Sequence, residues 1–147
     1  MLALARQSWV HRMSAELEKR GFAGYRLTDA ATLRRLRAGT ASVGQLARPL
    51  GVTRQAARKV VRGLEERGYA ATQADPGDAR KLNVTLTSAG CAYADAIIEV
   101  IDQLNWAVVT RVTPDELATA DAVLRASIDD EGVARLAAYL TPPPASV

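Results

Sequence analysis

The chain has 147 residues, 48% of them hydrophobic but only 5% aromatic, enough for one ordinary domain whose core rests on Ala, Leu and Val. One cysteine (Cys91) and one histidine (His11) exclude a disulfide-stapled scaffold and a Cys/His structural zinc site, and no window approaches the roughly 20 apolar residues of a membrane span. The net charge of +3 is unevenly spread: residues 1–33 carry +2, residues 34–81 carry +7 and residues 82–147 carry −6. The N-terminal stretch has charges at Arg6 and Arg12 and no uninterrupted apolar run, so no signal peptide is expected and a reducing cytoplasm is the expected location.

Taken in chain order, residues 2–20 read as a helix, with Leu2, Trp9, Val10, Met13 and Leu17 at helical spacing and Gly21 as its stop. A shorter helix spans 29–38, capped by Thr28 or Asp29, with Leu33 and Leu36 on its buried side. Ser42 and Gln45 form a capping box for a third helix ending at Gly51, with Pro49 expected to end it early. Val52 is expected to plug the interior of the following turn. Thr53 caps a fourth helix running to about Arg67, with Gly68 as its stop.

Two strands follow, at 69–73 and 82–86, where Leu82, Val84 and Leu86 alternate with polar residues. Pro76 and Gly77 make the turn between them. Thr87 caps a long helix from Ser88 to about Arg111, and Thr113-Pro114-Asp115-Glu116 starts a final helical stretch over 114–140, broken near 129–132. The tail 142–147 is proline-rich and reads as disordered. The order α-α-α-α-β-β-α-α is that of a winged helix-turn-helix with flanking helices. The expected fold class is therefore mainly α with a small β-hairpin wing.

The fourth helix carries the chemistry. On a helical wheel Ala56, Ala57, Val60, Val61 and Leu64 share one side. Gln55, Arg58, Lys59 and Arg62 share the other, with Arg54 at its edge. Arg and Gln can make paired hydrogen bonds to guanine and adenine, and a helix fits the major groove. A charged outer face is also what any amphipathic helix shows, but here acids appear only at Glu65 and Glu66, at the far end. Sixteen Arg against three Lys favours forked contacts to phosphates and bases. In the hairpin, Asp78 and Arg80 can pair and fix the tip, or Arg80 can reach a phosphate or a narrow minor groove, with Lys81 beside it.

The stretch 43–90 resembles the DNA-binding core of the MarR family of bacterial transcription regulators. The resemblance rests on L-A-x-x-L-G-V (46–52), L-E-x-R-G (64–68), D-P-x-D-x-R (75–80) and L-T-x-x-G (86–90). It implies a homodimeric winged-helix regulator, most simply a repressor, that binds a pseudo-palindromic operator and is released by a small ligand. It also implies a dimerisation domain built from residues 1–28 and 91–141 and a DNA-binding domain at 29–90. The implied recognition residues are Thr53, Arg54, Gln55, Arg58, Lys59 and Arg62, and the implied wing residues are Asp78, Arg80 and Lys81. Family wings often carry two adjacent arginines, whereas Ala79 precedes Arg80 here.

The expected partners are double-stranded DNA, a second copy of the chain and a small aromatic ligand, for which Trp9, His11, Tyr25 and Trp106 are the candidate lining. Tyr93, Ile97, Val100, Ile101, Leu104 and Val108 form one apolar stripe, and Leu136, Ala137 and Leu140 form another, against the face of residues 4–17; a monomer is expected to leave much of this exposed. Cys91 is expected to pack as a small hydrophobe. No metal cluster, nucleophilic triad or phosphate loop is visible, so neither a cofactor nor an enzymatic activity is expected. Two rival readings are a winged-helix module that docks an acidic protein and a non-specific architectural DNA binder.

Overall fold

The computed structural model describes residues 1–133, with only the backbone described at Ala79 and Arg80. The expected stripe at Leu136, Ala137 and Leu140 and the tail 142–147 lie outside the described residues. The elements are α1 (Leu2–Lys19), α2 (Leu27–Arg37), β1 (Ala41–Ser42), α3 (Val43–Leu50), α4 (Arg54–Glu66), β2 (Ala70–Asp75), β3 (Asp78–Leu86), α5 (Ser88–Val109) and α6 (Pro114–Ala126). The result is mainly helical with a small antiparallel sheet, the fold class expected of a winged helix.

Local chemistry sets most of the boundaries. Side-chain oxygens of Ser42, Thr53, Thr87 and Thr113 accept hydrogen bonds from backbone N–H groups three residues on. They open α3, α4, α5 and α6 by satisfying donors that a helix start leaves orphaned. Gln45 and Glu116 return the bond to the backbone N–H of Ser42 and Thr113, completing two capping boxes.

Four expectations are corrected. The start of α2 is not capped by Thr28 or Asp29: Arg26 is the N-cap and Asp29 lies at the third helical position, where its carboxylate accepts the Arg26 N–H at 3.1 Å. Pro49 does not shorten α3, which continues to Leu50 because Gly51 closes it in the left-handed region at φ 62°. Val52 does not plug the turn. Its side chain is 36% exposed, and its part is backbone: its N–H donates to Ala47 O at 3.2 Å. Finally, a third strand exists. β1 pairs with β3 (Ala41 with Val84, Ser42 with Asn83), giving the order β1-β3-β2.

One apolar cluster runs from Met13 and Leu17 of α1 through Leu33, Leu46, Val61, Leu64 and Val84 to Tyr93, Val100 and Leu104 of α5. The α5 stripe therefore differs from expectation. Tyr93, Ile97, Val100 and Leu104 are buried within the chain itself, because α1 and α2 pack against α5. Of the stripe, Val108 stays exposed, and it is joined by Trp106 (70%), Ile98 and Val109 on α5 and by Leu117, Val123 and Leu124 on α6, a helix with no buried residue at all.

Candidate nucleic-acid interface

The packing of α4 decides what it presents. Ala57, Val61 and Leu64 are buried, which turns the opposite side outward. Thr53, Arg54, Gln55, Arg58, Lys59 and Arg62 are all exposed and share the helix's N-terminal turns and outer face. Thr53 Oγ1 already caps the helix, accepting from Ala56 N at 3.2 Å. Among the described residues, Arg54, Arg58 and Lys59 make no ion pair, whereas Arg62 lies 3.5 Å from Glu66. That exposed i,i+4 pair is worth well under about 1 kcal/mol and yields readily to a phosphate.

The hairpin packs on α4 through β2, where Thr72 Oγ1 donates to Glu65 Oε1 at 2.6 Å. Its tip is tighter than the sequence predicts, because β2 and β3 extend to Asp75 and Asp78 and leave only Pro76 and Gly77 between them. The Asp75 carboxylate organises the tip, accepting the Gly77 N–H at 2.9 Å and the Asn83 side-chain amide at 2.8 Å. These donors, the Asn83 bond foremost, hold the Asp75 pKa below its ordinary value. Asp78 lies 3.5 Å from Lys81. The backbone of Arg80 is in β3, while its side chain, and with it the expected choice between pairing and phosphate contact, lies outside the described residues.

Residues 23–81 match the model of the MarR family. That segment, which spans the helix-turn-helix and most of the hairpin, is similar to this family of transcription regulators. Solved MarR-like structures cover most of the chain. A probable transcriptional regulator from Pseudomonas aeruginosa is 26% identical, over 86% of this chain and 93% of that one, with a TM-score of 0.70. MepR of S. aureus, solved as a DNA complex, is 20% identical over 86% and 92%, with a TM-score of 0.73. A mutant MarR from E. coli in complex with operator DNA is 20% identical over 87% and 91%, with a TM-score of 0.72. No curated protein matches the chain.

The family's ligand-binding expectation fares differently. Trp9, His11, Tyr25 and Trp106 do not line one cavity here. Tyr25 is buried in the core, Trp9 packs on the core's edge, and Trp106 stands exposed. Only His11 borders a groove between α1 and α5, of about 270 Å³, together with Arg12, Ala15, Glu16, Gln103, Leu104 and Ala107. Core packing takes up Tyr25 and Trp9, while Trp106 lies on the solvent side of α5, so the three rings do not converge. Cys91 is partly exposed on α5. Among the described residues no group of acidic, His and Cys side chains is placed to hold a metal, and no helix is long and apolar enough to cross a membrane.

Sequence reasoning missed one charged group altogether. Arg67, at the end of α4, does not join the cationic face. It forks inward onto Asp29, with Nη1 to Oδ2 at 2.9 Å and Nη2 to Oδ1 at 3.0 Å. The L-E-x-R-G motif marks Arg67, but nothing in its spacing points to a carboxylate 38 residues upstream.

Proposed function

We propose that the protein is a transcription regulator that binds a pseudo-palindromic DNA operator as a homodimer, acting as a repressor that a small ligand releases. One observation carries this reading: the packed face of α4 forces outward a row of hydrogen-bonding and cationic side chains, of which Arg54, Arg58 and Lys59 make no ion pair among the described residues, sized for the major groove. In this reading Thr53, Arg54, Gln55, Arg58, Lys59 and Arg62 meet bases and phosphates. Asp78, Arg80 and Lys81 serve the wing contact. The DNA complexes of MepR and MarR, which share the fold, support the same assignment.

The dimer is supported by what the chain leaves uncovered. A 13-residue helix with no buried residue has little to hold it in water, since isolated helices of about 12–15 residues are marginal. The exposed apolar residues of α6, Trp106 of α5 and Leu2 and Leu4 of α1 fit a twofold interface. We assign dimerisation to residues 1–28 and 91–141 and DNA binding to residues 29–90. Two recognition helices so related would meet half-sites about one helical turn apart. For the ligand, His11 on the α1–α5 groove is the residue of the expected set that we retain.

Fluorescence anisotropy with duplex DNA from the native promoter region and a scrambled duplex, near physiological salt, tests the reading. Expected is salt-sensitive binding of two chains per site, at least about a thousandfold tighter on the promoter fragment. Equal weak binding to both duplexes would replace it with an architectural role. Binding to neither would make the basic face a protein-docking surface.

A further inference from the structure

At the C-terminal end of α4 the fold converges on one carboxylate. Asp29 is fully buried, and its oxygens accept four hydrogen bonds: two from Arg67, one from Arg26 N and one from Tyr93 Oη at 3.0 Å. Arg67 is itself held on the other side, donating from Nε to Gly63 O at 2.8 Å and from Nη1 to Gly24 O at 3.1 Å. Tyr93 is equally buried. Its ring stacks on Tyr69 with centroids 4.4 Å apart and on Phe22 at 5.2 Å. The first turn of α2, the end of α4 and the second turn of α5 thus meet at a single side chain.

The surrounding packing gives that meeting point its meaning. α4 packs mainly on α3 and β2, while α5 packs mainly on α2 and α1. The two helices share the Asp29 carboxylate more than they share apolar surface. Apolar contact is non-directional, but a guanidinium fork on a carboxylate fixes both distance and angle. Buried ion pairs contribute little net stability over an apolar replacement, and their best-attested use is to set one arrangement among alternatives. We propose that Asp29 is a positioning residue that sets the orientation of α4 against α5 through Arg67 and Tyr93, and so the way α4 presents Gln55 and Arg58 to DNA. Its consequence for DNA rests on the DNA-binding reading of α4 given above; the orientation itself does not.

The test uses the full chain and two readouts. Spin labels at Lys59→Cys on α4 and Asp102→Cys on α5, in a Cys91→Ser background diluted with unlabelled protein, report the helix-to-helix distance without DNA. Arg67→Lys keeps the charge and loses the fork, while Tyr93→Phe removes one hydroxyl and keeps the ring stack. Both are expected to broaden or shift the distance distribution at a temperature where circular dichroism shows them folded. In unlabelled protein, Arg67→Lys is expected to lower the ratio of operator to random-DNA affinity about tenfold, since random binding depends on phosphates and not on helix aim. A purely structural role would lower thermal stability and leave both the distances and the ratio unchanged, and that result overturns the proposal. Should Arg67→Lys not fold, the Tyr93→Phe distances decide. Should the wild type fail to prefer its operator, the DNA reading fails alone, and the distances still decide the positioning role.

Discussion

Gly90, in the first turn of α5, presses against the backbone of Tyr69: a methyl group placed on it would overlap the Tyr69 carbonyl oxygen and lie 2.8 Å from the carbonyl carbon. The contact is braced on both sides. Thr87 Oγ1 donates to Gly68 O at 2.6 Å, and Thr87 N donates to Tyr69 O at 3.2 Å. Because the atoms in the way are backbone, no side-chain rotation relieves the overlap. Gly90→Ala is therefore expected to destabilise the protein by about 1–3 kcal/mol or more, read as a lowered urea midpoint. A midpoint equal to wild type would show that the 68–70 segment yields at no cost.

Arg58 is exposed, has no ion-pair partner among the described residues and stands on the outer face of α4. Arg58→Ala is expected to cost about 1–3 kcal/mol on the operator and to relax sequence preference there. Titrations against operator and random duplexes check it, and an equal loss on both would remove the base-contact role.

Lys59 shares that face and that lack of a partner. If it meets a phosphate, Lys59→Ala lowers the slope of log affinity against log salt by about one. Binding isotherms at four or five salt concentrations measure the slope, and an unchanged value would take Lys59 off the DNA.

Asp75 titrates below its ordinary value of 3.8 because it accepts from Asn83 and from the Gly77 backbone. A depressed carboxyl pKa means that the wing's organisation at this residue is complete above pH 3.8 and is lost as the pH falls through the lower folded value. Carboxyl carbon NMR should show Asp75 of Asn83→Ala titrating closer to 3.8 than the wild type does. An identical titration in both proteins would leave Asn83 without a part in shaping the tip.

Burial, then the neighbouring Asp29 charge and its hydrogen bond, push the Tyr93 phenol well above its ordinary 10.0. In the unfolded chain it ionises near that value, so its contribution is whole below pH 10.0 and declines as the pH rises beyond it. Above pH 10.0 the wild type is expected to lose stability faster than Tyr93→Phe, by about 1.4 kcal/mol per pH unit. Urea denaturation at several alkaline pH values compares the two, and parallel curves would mean that the phenol ionises inside the fold.

The helix starts at Ser42, Thr53, Thr87 and Thr113 and the amphipathic split of α4 follow from local chemistry, and all were legible in residue order. A cap bonds within three residues, and a helical face repeats every three or four. β1 was not legible, because two residues carry no alternation and become a strand only when β3 is alongside. The same holds for the α5 stripe. Its apolar spacing marks a buried face, but only the placement of α1 and α2 shows that the chain covers it itself.

The MarR resemblance, the helix and hairpin order, and the side of α4 that carries the cations are all readable in residue order, because each is written in spacings shorter than a dozen residues or in contiguous motifs. That Arg67 leaves that face for Asp29 while Arg54, Arg58 and Lys59 stay on it follows from the packing of the folded chain. An ion pair between residues 29 and 67 with Tyr93 as its third member has no period. It exists because folding brings three helices to one buried point, where a lone charge is too costly to leave unpaired.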